Sequence, residues 1–207
     1  MSILLSFLLP RRCVFCRTLH TDGICGSCQD KLPWREPPGQ NSVVAPLYYR
    51  GAVRFALHRY KFRGFSGYAE VFGTLMAQAL RDCNIEADAV TWVPCGVWRR
   101  WMRGYDQSRL LALAVAGRLE LPAEKLLVKA RSVKSQTKME DDVSRRRNVQ
   151  GAFKASGPVE GKLILLIDDI YTSGATMDEC RSILLSAGAA SVIQCVVAAK
   201  NEGRNVL

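Results

Sequence analysis

No apolar run in this chain approaches the roughly 18 residues that a membrane-spanning helix needs, which excludes an integral membrane protein. Repeats and low-complexity tracts are missing too. With 48% apolar and 23% charged residues, the composition is that of a folded globular protein rather than a disordered or collagen-like one. The apolar stretch Ile3–Leu9 has no basic segment before it and no small-residue cleavage site after it. Arg11 and Arg12 follow it, on the wrong side for a secretory signal, so it reads as a short amphipathic or docking helix of a cytoplasmic protein. Neither Gly-x-x-x-x-Gly-Lys-Ser/Thr nor Gly-x-Gly-x-x-Gly occurs, which removes the usual support for nucleotide hydrolysis and dinucleotide binding. Acidic residues are short by comparison with basic ones, 19 against 29, giving a net charge of +10 and a pI near 9.4. That excess favours polyanionic partners, nucleic acid or phosphorylated small molecules.

The 207 residues allow one full domain and a small module. Four of the eight cysteines form two Cys-x-x-Cys turns, Cys13/Cys16 and Cys25/Cys28, with Gly23 and Gly26 nearby to permit tight geometry. Four thiolates so spaced can converge on one tetrahedral Zn²⁺ as a ribbon or knuckle, a closed and therefore structural site. Two disulfides, a redox pair or an iron–sulfur cluster are the alternatives. Cys83, Cys95, Cys180 and Cys195 are scattered singly, as buried free thiols are. Pro33, Pro37, Pro38 and Gly39 mark a linker at residues 33–42, dividing a zinc module (1–32) from an α/β domain (43–207).

In that domain the pattern predicts strands at Val43–Tyr49, Ala89–Val93, Leu126–Ala130, Lys162–Ile167 and Ser191–Ala198. Helices are predicted at Val53–Tyr60, residues 68–83, Gln107–Leu119, Glu140–Asn148 and Met177–Ser186. Lys162–Ile167 is almost wholly apolar, the mark of a parallel strand buried on both faces. Asp168 and Asp169 end that strand, and Thr172, Ser173, Gly174, Ala175 and Thr176 lead into the next helix. Consecutive N–H groups, three hydroxyls and a helix dipole make the loop a phosphate site. The paired acids add what a sugar phosphate needs: acceptors for ring hydroxyls and negative charge near its metal ion.

Ile164–Met177 resembles the phosphoribosyl-pyrophosphate (PRPP) signature of the type I phosphoribosyltransferases. The wider pattern resembles the ComF/GntX-like family of competence proteins. The matching pieces are the four-cysteine module, Tyr49-Arg50-Gly51, Lys61 to Gly64, Val93-Pro94, Arg99, Arg103 to Ser108, Gln136 and Arg147 to Phe153. The family commonly carries Asn where this chain has Asp106. The resemblance implies a phosphoribosyltransferase-like parallel sheet flanked by helices. Asp168 and Asp169 then hold the ribose, residues 172–176 the 5′-phosphate, and Arg99, Arg100 and Arg103 the pyrophosphate. Those arginines also fit a solvated turn or a nucleic-acid patch flanked by Trp98 and Trp101. Lys134–Lys138 falls where the family carries a loop that closes over the site. Lys61 and Arg63 either reach a phosphate or bracket Phe62, and Arg145 to Arg147 read as a solvated face.

Two functions follow. One is Mg²⁺-dependent transfer of phosphoribosyl from PRPP to a nitrogen acceptor; the other is a non-catalytic role in DNA uptake, the pocket being a ligand sensor or nucleic-acid site, with single-stranded DNA or a competence-machinery protein as partner. Oligomerisation is left open.

Overall fold

The computed structural model describes residues 12–19, 23–37, 43–96, 101–130 and 147–200. The expected helix at Ile3–Leu9, the arginines Arg99 and Arg100, and Lys134–Lys138 lie outside these residues.

In chain order the elements are α1 (Gly26–Lys31), β1 (Leu47–Tyr48), α2 (Gly51–Phe62), α3 (Tyr68–Asp82), β2 (Ala89–Trp92), α4 (Gln107–Leu119), β3 (Leu127–Lys129), β4 (Phe153–Ala155), β5 (Leu163–Tyr171), α5 (Ala175–Ser186) and β6 (Ser191–Ala199). Four strands form a parallel sheet in the order β1-β6-β5-β2, and β3 pairs antiparallel with β4 in a separate small sheet. Strand alternation divides the core. Leu165 and Ile167 pack with α2, α3 and α4, whereas Ile164 and Leu166 pack with α5 and the β3–β4 sheet. Gly73 lets α3 press on α4, since a Cβ there would lie 2.5 Å from that of Ala114.

The predicted strand Val43–Tyr49 is shorter than expected. Val44 bridges Cys195, but Pro46 has no N–H to give, and regular pairing resumes only at Leu47. The start of the expected linker is also engaged, because the Tyr48 N–H donates to the Pro33 carbonyl and the Arg35 N–H to that of Pro46. β4 was not anticipated.

The cysteine module shares the larger core cluster. Cys13, Val14, Phe15 and Leu32 are buried with residues of α2 and α3. Phe15 meets Phe72 with ring centroids 6.1 Å apart, and the Arg59 guanidinium donates to the carbonyls of Val14 (2.7 Å) and Phe15 (2.9 Å).

Candidate functional site

The β5 ladder does not stop at Ile167. Asp168 pairs with Val196, Ile170 with Ala198 and Tyr171 with Ala199, so both carboxylates sit within the strand rather than after it. Main-chain pairing with β6 tolerates them because each charge has a partner from another element. Asp168 accepts from the Ser108 hydroxyl at 2.7 Å and from the Asp169 N–H at 2.9 Å. Asp169, only 6% exposed, is 3.0 Å from the Lys61 ammonium of α2. The alternatives for Lys61 and Arg63 thus separate: Lys61 faces the paired acids, and Arg63 lies on a different cavity.

Burial pushes the Asp168 carboxyl up to about 7 and the Asp169 charge adds to the rise, while Ser108 and Lys61 oppose it. A carboxyl raised in the fold stabilises fully below its unfolded value of 3.8, and that contribution is lost as pH rises through about 7. Asp168→Asn keeps an acceptor for Ser108 and cannot ionise. It should therefore be more stable than the parent at pH 8, by about 2 kcal/mol once solvent at the cavity wall is allowed for. The gain should fade towards pH 5. Urea melts at the two pH values measure it, and an equal effect at both would contradict the assignment.

After Tyr171 the chain turns through Gly174, whose φ of +76° caps α5 without a side chain. The Tyr171 hydroxyl donates to the Asp178 carboxylate at 3.0 Å. A Cβ on Gly174 would lie 2.5 Å from Tyr171 Cζ and 2.7 Å from Asp178 Oδ2. The loop therefore closes on a brace that leaves room for glycine alone. Helix α5 begins at Ala175, two residues earlier than expected, because this turn already satisfies its first N–H···O bond, Asp178 to Gly174.

Residues 172–176, Asp168 and Asp169 line one cavity of about 1130 Å³. Its other walls include the 93–96 turn after β2, Arg103 and Gln107 near the start of α4, and Lys129 and Phe153 from the small sheet. Arg103 donates to Gln107 Oε1 at 2.7 Å and stands 4.9 Å over the Phe62 ring. Gln107 is 3% exposed, and its Nε2 has no hydrogen-bond partner among the described residues, which leaves a buried donor on the cavity wall. Asp106 accepts from the Arg109 N–H at 3.2 Å and the Cys95 N–H at 3.4 Å. It does the work of an N-cap, for which Asp and Asn serve alike. Sequence reasoning missed Gln107, Ser108 and Lys129 as wall residues. The first two stood inside a quoted motif; Lys129 had no signal beyond its place at a strand end.

The four cysteines converge: the Sγ atoms of Cys13, Cys16, Cys25 and Cys28 all lie within 4.8 Å of one another. Sulfurs each 2.3 Å from a common tetrahedral ion are about 3.8 Å apart, so the spacing fits Zn²⁺. The Thr18 hydroxyl and N–H hold the Cys16 thiol down to about 6, while burial and the neighbouring cysteines push Cys28 up. Thiols packed this closely do not ionise together without a cation among them.

A parallel sheet with paired acids, then a glycine-turned hydroxyl loop at a helix start, defines a phosphoribosyltransferase-type domain. Residues 106–206 match the sequence profile of the phosphoribosyl transferase domain. The chain is 30% identical over 179 residues to the DNA utilization protein YhgH of Salmonella typhimurium, covering 84% of this chain and 76% of that protein. It is 31% identical over 165 residues to competence protein ComFC of Streptococcus pneumoniae, covering 80% and 71%. This chain belongs to the ComF/GntX-like family. Among solved structures it is similar to a glutamine PRPP amidotransferase from B. subtilis, at 29% identity and a TM-score of 0.43; the match covers 61% of this chain and only 25% of that one. No helix among the described residues is long and apolar enough to cross a membrane.

Proposed function

We propose that this chain binds PRPP with Mg²⁺ and transfers its phosphoribosyl group to a nitrogen acceptor. The observation that carries the reading is the convergence on one cavity of the paired acids, the Gly174 loop and Arg103. Asp168 and Asp169 accept from the ribose hydroxyls. The N–H groups and hydroxyls of residues 172–176 hold the 5′-phosphate, and Arg103 takes up charge on the departing pyrophosphate. Arg99 and Arg100 belong to the same proposal. Bound together with PRPP, a Mg²⁺ ion would supply charge neutralisation of the pyrophosphate. The acceptor nitrogen forms its bond to C1′ as the bond to the pyrophosphate oxygen breaks; pyrophosphate leaves with the bonding pair, and the nitrogen then gives its proton to solvent water. Zn²⁺ at the four cysteines has a structural part.

Calorimetry with PRPP and Mg²⁺ tests the reading. Asp169→Asn removes a charge-assisted acceptor worth about 1.5–3 kcal/mol, so PRPP affinity should fall about ten- to a hundredfold. Inorganic phosphate should bind as well or better, since Lys61 is then released from its ion pair. Absence of PRPP binding by the parent at millimolar concentration would sink the enzyme reading. The relatives' names and the net charge of +10 would then favour the second: a non-catalytic part in DNA uptake, with a competence-machinery protein or single-stranded DNA as partner.

A further inference from the structure

A second, smaller cavity of about 310 Å³ lies where the cysteine module meets α2, lined by Arg17, Phe55, His58, Arg59, Arg63 and Phe65. Its size is at the lower end of small-ligand sites, roughly 300–1,000 Å³. Among the described residues its lining is one-sided: three guanidiniums, an imidazole and two phenyl rings, with no acid among them.

Arg17 stands 5.4 Å from the centroid of Phe65. Arg59 spends one nitrogen on the module carbonyls, yet its Nε is buried without a hydrogen-bond partner among the described residues. Phe55 is 66% exposed, one helical turn from His58 on α2. An inorganic anion has no use for the rings, and an apolar ligand has none for three guanidiniums. A phosphate joined to a flat base uses both, the oxygens on the arginines and the base on a ring face.

We infer that this seam is a nucleotide-binding site, separate from the phosphoribosyl pocket, which takes one phosphorylated nucleoside unit, free or within a strand. The inference is independent of PRPP binding. Helix α2 serves both cavities, with Lys61 directed to one and Arg59 and Arg63 to the other. Between them Phe62 packs on His58 with centroids 4.9 Å apart, so a ring surface connects the two sites.

The test uses the full chain with two probes: thymidine 5′-monophosphate by calorimetry and a fluorescein-labelled oligothymidylate by anisotropy. Phe55→Ala changes no charge and should weaken the bound probe about tenfold or more through lost stacking. Arg63→Ala should weaken it too, and should lower the salt slope for the oligomer by about 0.7. Lys125→Ala is the charge control; Lys125 is exposed beside the Glu124–Lys162 ion pair, at the opposite end of β5. It should leave affinity within about twofold, as one distant charge is largely screened. PRPP binding should be unchanged in Phe55→Ala, which separates failure here from failure of the enzyme reading. A response of both probes identifies a free nucleotide as sufficient, and a response of the oligomer alone identifies the strand. Three results would overturn the inference: no binding of either probe, full affinity in Phe55→Ala, or equal losses in Lys125→Ala and Arg63→Ala.

Discussion

Gly174→Val should abolish binding of PRPP and of inorganic phosphate alike, and should also lower stability. At φ +76° a β-branched residue is strained by about 1–3 kcal/mol. The larger effect is steric. The new Cβ would enter the space held by the Tyr171 ring and the Asp178 carboxylate, whose hydrogen bond fixes the loop. Either the brace opens or the turn unwinds, and in both cases the N–H groups at the start of α5 lose their common aim. Calorimetry with phosphate alone isolates the loop from the acids, because phosphate does not need Asp168 or Asp169. A Val variant that binds phosphate as the parent does would remove residues 172–176 from the site.

Cys13→Ser should release the metal, unfold the module and weaken the α/β domain against which it packs. Cys13 is fully buried, and its sulfur accepts from the Cys25 N–H at 3.5 Å. Undocking would expose Val14, Phe15 and Leu32 together with the α2–α3 surface beneath them, a loss of about 5 kcal/mol at 1.5–3 kcal/mol per large apolar side chain. The β2–β5–β6 ladder involves none of these residues and should persist. Elemental analysis should find about one zinc per chain in freshly purified parent protein and none in the variant. Hydrogen exchange should quicken in α3 and stay slow in residues 164–167. Zinc-free parent protein would refute the metal assignment, and unchanged exchange in α3 would refute the shared core.

Local pattern accounts for what was readable in the sequence. Helix α4 spans Gln107–Leu119 as predicted, because Asp106 supplies a cap and the continuous run Leu110–Ala116 is rich in the strong helix formers Leu and Ala. In α3, Phe72, Met76 and Leu80 form the buried stripe that their spacing requires. β5 and β6 were visible as apolar runs, and the acids with their hydroxyl loop marked a turn that lines the large cavity. What escaped was settled by partners distant in the chain. Asp168 and Asp169 look like strand terminators until Ser108 and Lys61 arrive to offset them. Phe153–Ala155 is too short for a periodic signal and is a strand only because β3 lies beside it. Nothing local to Phe15 foretells Phe72.

Helix α2 gives these pieces a common mechanical frame. Arg59 fastens the cysteine module by two carbonyls, and two positions later Lys61 supplies the counter-charge to the acid in the large cavity. A rigid helix cannot re-seat one contact without displacing the other. The cysteine module and the acid pocket thus hold opposite sides of one strut, two residues apart along its length.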